Sequence, residues 1–150
     1  MARDEASIII GRPMEDIFDF LADLRNIPRW DPGIRSVEIP DLPTMPGLTG
    51  RMVGLDPRSG TPMAMPFHVT EYERPTRMAI RSEMPLAAGT VGWTLQPVAG
   101  LEDISRLTVV TDIEFRGVAG LVGAAMGLLG GGDRSEQLRR LKDLLERDRD

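Results

Sequence analysis

The 150-residue chain has no cysteine, one histidine, one lysine and only 5% aromatic residues. Without cysteine there is no disulfide, no thiolate nucleophile and no Cys-based zinc or iron–sulfur centre, and a lone histidine, His68, excludes a multi-His cluster. A metal site would have to be built from carboxylates alone, so no metal and no cofactor is expected. The chain also lacks a basic stripe: its net charge is -5, which opposes close approach to a phosphate polyanion, and nucleic acid is not an expected partner. The charged start, MARDEAS, leads into only three isoleucines and has no apolar core of a secretory signal. The most membrane-like stretch, GVAGLVGAAMGLLGGG at 117–132, has sixteen residues, seven of them glycine, against the about 20 apolar residues that a span requires. No transmembrane segment and a cytoplasmic location are expected. The glycines before the final helix do not form a phosphate loop, because GGGDRS is followed by no lysine at the required spacing.

What is present is the composition of an ordinary globular chain, 41% hydrophobic and 27% charged, at the length of one domain, 1–150. Arginine supplies 17 of the 18 basic residues, a usage that points to a GC-rich bacterial genome. Ser7–Gly11 is short and β-branched, as a strand is. Pro13, then Glu15 and Asp16, suit a helix start, and Ile17, Phe18, Leu21 and Leu24 recur at helical spacing. Pro28 and Pro32 restrict the segment around Trp30 to a turn or two of helix. From Arg35 to about residue 115 the apolar period becomes two, cut by Pro and Gly into six further segments whose short connections predict antiparallel neighbours.

The alternation sorts these strands into faces. Met63, Met65, Phe67 and Val69 share one face; Met78, Ile80, Ser82 and Met84 another; Val91, Trp93 and Leu95 a third; Leu107, Val109, Thr111, Ile113 and Phe115 a fourth. The chain closes on DRSEQLRRLKDLLERDRD, where Asp133 and Glu136 have the spacing of a capping box and Leu138, Leu141, Leu144 and Leu145 form an apolar stripe on a charged helix. Such a helix must cover something apolar. The sheet supplies it.

The segments IIIGRPMEDIFDFLADLRNIPRWDPGIRSVEI, FHVTEYERPTRMAIRSE and LRRLKDLLE, in the order βα(α)βββββα, resemble the SRPBCC superfamily, the START-like helix-grip proteins that include polyketide cyclases and dehydrases. The resemblance spans nearly the whole chain. It implies an α+β helix-grip fold: a curved antiparallel sheet of about seven strands wrapped around a long C-terminal helix, with two short helices between strands 1 and 2. It also implies a cavity between sheet and helix. With the packed faces turned inward, the expected lining is Trp30, Met63, Met65, Phe67, Val69, Met78, Ile80, Ser82, Trp93, Val109, Thr111 and Ile113. A wall so apolar suits a small hydrophobic ligand such as a lipid, polyketide or aromatic metabolite, oriented by one or two hydrogen bonds, and its methionines adapt to more than one shape. The plainer reading is a filled core.

Groups for chemistry are few. His68 alternates with Phe67 and Val69 and falls on the opposite, wetter face. Glu71 shares the parity of Phe67 and Val69, Tyr72 follows it, and Arg51 lies in a strand whose parity is open. These three are the candidates for polarising a carbonyl or orienting a hydroxyl; cross-strand pairing is the plainer role for each. Two function classes follow: a non-catalytic binder or carrier, favoured because the wall holds so few ionisable groups, and a cyclase, aromatase or dehydrase acting in the same cavity. A third, a filled domain that binds a partner through an exposed apolar patch, requires no cavity. Exposed edge strands and helix faces leave room for a homodimer. In 117–132 the spacing of Gly120, Gly123, Gly127 and Gly130 suits a closely packed helix face. The expectation is a helical lid from Val118 to Leu129 presenting Leu121, Ala125 and Leu128, hinged at Gly130–Gly132.

Overall fold

The computed structural model describes residues 2–55, 59–84, 87–115 and 134–147, without the side chains of residues 2, 115 and 134. Seven antiparallel strands form one curved sheet in the order β1-β7-β6-β5-β4-β3-β2: β1 (Ala2–Ile10), β2 (Ile34–Glu38), β3 (Thr49–Leu55), β4 (Pro62–Glu73), β5 (Arg77–Glu83), β6 (Ala87–Val98) and β7 (Leu101–Phe115). Two short helices, α1 (Met14–Ala22) and α2 (Ile27–Trp30), join β1 to β2 through a 3-10 turn at Leu24–Asn26, and the closing helix α3 spans Arg134–Arg147. This is the helix-grip architecture.

Local chemistry explains the elements. Pro13, extended at φ -63 and ψ 153, is the N-cap of α1 rather than its first helical residue, and Glu15 and Asp16 occupy the electropositive first turn. Ile17, Phe18, Leu21 and Ala22 are buried on one side. The Asp23 carboxylate accepts from the Arg25 backbone N–H at 3.3 Å and starts the 3-10 turn, which leads into α2 with Pro28 in its first turn. β1 begins five residues earlier than the isoleucine run suggests. Its first half, charged at Arg3, Asp4 and Glu5, is an edge strand paired to β7 from Ala2↔Ile113 to Ile10↔Ser105, and edge strands tolerate charge.

α3 lies on the concave side against β1 and α2. Leu138, Leu141 and Leu145 are buried, Leu144 is half-buried, and they join α1 and the sheet in one apolar core. Polar contacts fix the far end of the helix. The backbone N–H of Gly11 donates to Glu146 Oε2 at 2.8 Å, Lys142 Nζ to the Ile9 carbonyl at 3.0 Å, and Arg12 Nη1 to the Leu145 carbonyl at 2.6 Å. The last of these satisfies a carbonyl in the final turn, where a cation also opposes the negative end of the helix. Beneath them the fully buried Ser105 hydroxyl donates to the Arg12 carbonyl at 2.9 Å. Asp133, the expected cap of α3, lies outside the described residues.

Candidate functional site

The strand register builds the concave wall row by row, since residues directly opposite each other point to the same side. One row is Tyr72, Met78, Trp93 and Val109; the next is Val69, Ile80, Val91 and Thr111; the third is Phe67, Ser82, Gly89 and Ile113. Trp30, on α2, closes over the wall with its ring edge-on to Trp93, 6.5 Å between centroids at 90°. Burial is graded across these rows. Phe67, Val69, Met78, Ile80, Trp93, Val109, Thr111 and Trp30 are buried, whereas Met63, Met65, Ser82 and Ile113 are half-buried. The concave face is therefore sealed near α1 and α3 and only partly covered where β3 and β4 carry Met52, Met63 and Met65.

Hydrogen bonding separates the polar groups of this wall. The Ser82 hydroxyl donates across the strand to the Pro66 carbonyl at 2.7 Å. Thr111 Oγ1, Trp30 Nε1 and Trp93 Nε1 are buried and have no partner among the described residues.

Glu71 is not on the concave side. A bulge between Val69 and Glu71 sets Glu71 opposite Ala79 and Tyr72 opposite Met78, so the parity expected for Glu71 passes to its neighbour. The Glu71 carboxylate accepts from Arg77 Nε at 3.0 Å on the outer face, while Tyr72 meets Phe18 edge-on at 5.2 Å. The β3 register settles the parity of Arg51: Met52 lies opposite Met65 and joins the wall, and Arg51 faces outward, donating from Nε to Glu38 at 3.0 Å. Met52 and Val37, which pair with each other, are wall residues that alternation alone does not single out, because Gly50 and Gly54 leave β3 with one inward side chain. His68 lies between Thr49 and Arg81 on the convex face. Among the described residues no group of His, Cys, Asp or Glu is arranged to hold a metal ion.

A separate surface groove of about 310 Å³ runs between the end of α1 and the β2–β3 connection, with Asp19, Arg25, Leu42, Thr44 and Tyr72 among its walls. Its sides are tied by Thr44 Oγ1 donating to the Ala22 carbonyl at 2.6 Å. At one end Arg74 donates to both carboxylate oxygens of Asp19, at 2.8 and 2.9 Å. These hydrogen bonds hold the Asp19 carboxyl below its ordinary pKa; slight burial opposes them and the guanidinium charge adds to them. The groove is polar and borders the concave wall at Tyr72. The expected lid residues Leu121, Ala125 and Leu128, the span Val118–Leu129 and the hinge Gly130–Gly132 lie outside the described residues. No described helix is long and apolar enough to cross a membrane.

Comparison with known proteins agrees with this geometry. A family model described as polyketide cyclase/dehydrase and lipid transport matches residues 1–146. No curated protein matches the chain. Among solved structures, the Zhui aromatase/cyclase from Streptomyces sp. R1128 is similar with a TM-score of 0.75 at 15% identity, covering 97% of this chain and 94% of its own. A protein from Thermus thermophilus gives 0.74 at 15% identity, covering 98% and 99%. A START superfamily protein from Mycobacterium smegmatis gives 0.74 at 15%, covering 97% of each. At these identities the likeness is one of fold.

Proposed function

The chain belongs to the polyketide cyclase/dehydrase and lipid transport family, and we propose that it binds a small hydrophobic molecule on the concave face of its sheet, in the manner of a carrier or binding protein. The fold is consistent with a ligand-binding cavity. The observation that supports this reading best is the gradient along the wall: apolar rows continue from a sealed core into half-buried Met63, Met65 and Ile113, leaving apolar surface for a ligand to cover. Of the three ionisable candidates, Arg51 and Glu71 are held in outward ion pairs with Glu38 and Arg77. Among the described residues the large exposed hydrophobics, Ile9, Leu42, Met45 and Leu101, fall on two strands and the β2–β3 connection and do not favour a partner-binding patch.

The cyclase reading keeps one supporting observation. Tyr72, turned inward by the bulge, brings a phenol to the edge of the apolar wall. The binding reading is tested with N-phenyl-1-naphthylamine, an uncharged fluorophore. Wild-type protein should bind it at one saturable site, and Met65→Arg, which places a charge at a half-buried wall position, should weaken it at least about tenfold. Equal binding by a folded Met65→Arg variant contradicts the assignment. Turnover of a linear poly-β-ketone to an aromatic product, lost in Tyr72→Phe, would instead establish the enzyme.

A further inference from the structure

We infer that the ligand carries a neutral carbonyl oxygen, which accepts hydrogen bonds at the corner formed by Trp30, Trp93 and Thr111. The inference rests on the reading of the concave face as a ligand seat and adds the chemistry of what occupies it.

Trp30, Trp93 and Thr111 are 6%, 4% and 6% exposed, and Nε1 of each indole and Oγ1 of the threonine lack partners among the described residues. Native proteins leave few buried polar atoms unpaired, because each forfeits the hydrogen bond it made to water. These three are neighbours. Trp93 lies opposite Val109, Thr111 is two residues further along β7 on the same face, and the Trp30 ring packs against that of Trp93. In an edge-to-face pair only one ring presents its edge to the other, so at most one indole N–H is absorbed by a π face. At least one indole donor and the Thr111 hydroxyl remain.

An indole N–H only donates, and a threonine hydroxyl can donate as well. The missing group must therefore accept. The other wall hydroxyls make no such demand, since Ser82 donates to Pro66 and Tyr72 is only half-buried, so the buried demand among the described residues is confined to this corner. A carboxylate is the wrong acceptor. No arginine or lysine of β1 or of β3 to β7 stands on the concave face, and a buried anion without a cation is strongly disfavoured. A ketone or comparable carbonyl has the acceptor without the charge. The exposed Asp4, opposite Thr111 on β1, adds a negative charge that also disfavours a carboxylate. Around the corner Val69, Ile80, Val91 and Met78 offer apolar surface, so the rest of the ligand is hydrocarbon, flat or flexible enough to lie along the rows.

Three naphthalenes of similar shape separate the possibilities by calorimetry and by the two indole N–H resonances, the chain having two tryptophans. In a purely apolar seat 2-ethylnaphthalene should outbind 2-acetylnaphthalene, which is more costly to desolvate. The inference predicts the reverse, by about tenfold, with 2-naphthoate weaker than the ketone. It also predicts a downfield shift of an indole N–H with the ketone but not with the hydrocarbon. Thr111→Val, which keeps the side-chain shape, should erode the ketone's advantage over 2-ethylnaphthalene. Hydrocarbon binding as tight as or tighter than the ketone, with the indole resonances unmoved, overturns the carbonyl inference and leaves the seat standing. Naphthoate binding above the ketone overturns its neutrality. Failure of all three to bind overturns the seat as well.

Discussion

Truncating Leu141 to alanine should loosen the grip of α3 by a calculable amount. Leu141 is 0% exposed at the middle of the stripe Leu138, Leu141 and Leu145, in the same core as Phe18, Leu107 and Trp93. Burying a leucine side chain is worth about 1.5–3 kcal/mol by transfer from water, and the cavity left behind adds to that, so Leu→Ala at a sealed site costs about 2–5 kcal/mol. The contacts at the C-terminal end of the helix limit collapse into the gap. Arg12 and Gly11 hold the helix end at Leu145 and Glu146, while the rigid sheet lies beneath, so a value near the middle, about 3 kcal/mol, is expected. For a domain of this size that corresponds to a fall in Tm of about 6–12 °C. Differential scanning calorimetry of Leu141→Ala beside Arg140→Ala, an exposed neighbour, provides the control, and the latter should stay within about 0.5 kcal/mol of wild type. A Leu141→Ala shift no larger than that of Arg140→Ala would refute the packing of α3 against the sheet.

Thr111→Val removes a buried hydroxyl without a partner, so the unliganded protein should gain about 1 kcal/mol and melt about 2–4 °C higher; a lower Tm would show the hydroxyl satisfied within the fold. Gly50→Ala places a Cβ against Ile39 Cγ2, 2.8 Å from the Phe67 ring and 2.9 Å from the Glu38 carbonyl, and should cost about 1–3 kcal/mol in chemical denaturation, with no change expected if the strands can part freely. Arg74→Ala should lower stability only slightly at pH 7, because the pair with Asp19 is about half exposed and screened by solvent. Since the Asp19 carboxyl is lowered in the folded protein, the stabilisation is present above the unfolded-state pKa of about 3.9 and is lost as pH falls through the lower folded value. Melting curves of wild type and Arg74→Ala should converge below about pH 4, and a gap that persists in acid would contradict the linkage.

The strands and the gripping helix were legible because each buries one side only, which imprints a period of two or 3.6 on the residues. The leucine stripe of α3 and the faces of β5, β6 and β7 follow from that alone. Alternation fails where the backbone departs from it. PMAMPFHVTEYE reads as an unbroken strand, yet the bulge after Val69 exchanges the directions of Glu71 and Tyr72 and changes which of them borders the apolar wall. It is also silent where side chains are missing, as at Gly50 and Gly54 of β3, and where charge marks an edge strand, as in Arg3–Glu5 of β1. The Trp30–Trp93–Thr111 corner belongs to a different level. Each face was readable, but nothing in the spacing of residues 30, 93 and 111 shows that a short helix brings one indole against the other and leaves the donors unpaired.

Both tryptophans of the chain border the proposed seat, which makes energy transfer from tryptophan to bound N-phenyl-1-naphthylamine the most direct measurement of it. The account predicts one saturable site at which tryptophan emission falls as naphthylamine emission rises, with both effects reversed by 2-acetylnaphthalene. Fluorophore binding that leaves tryptophan emission unchanged, or no binding at all, would contradict it.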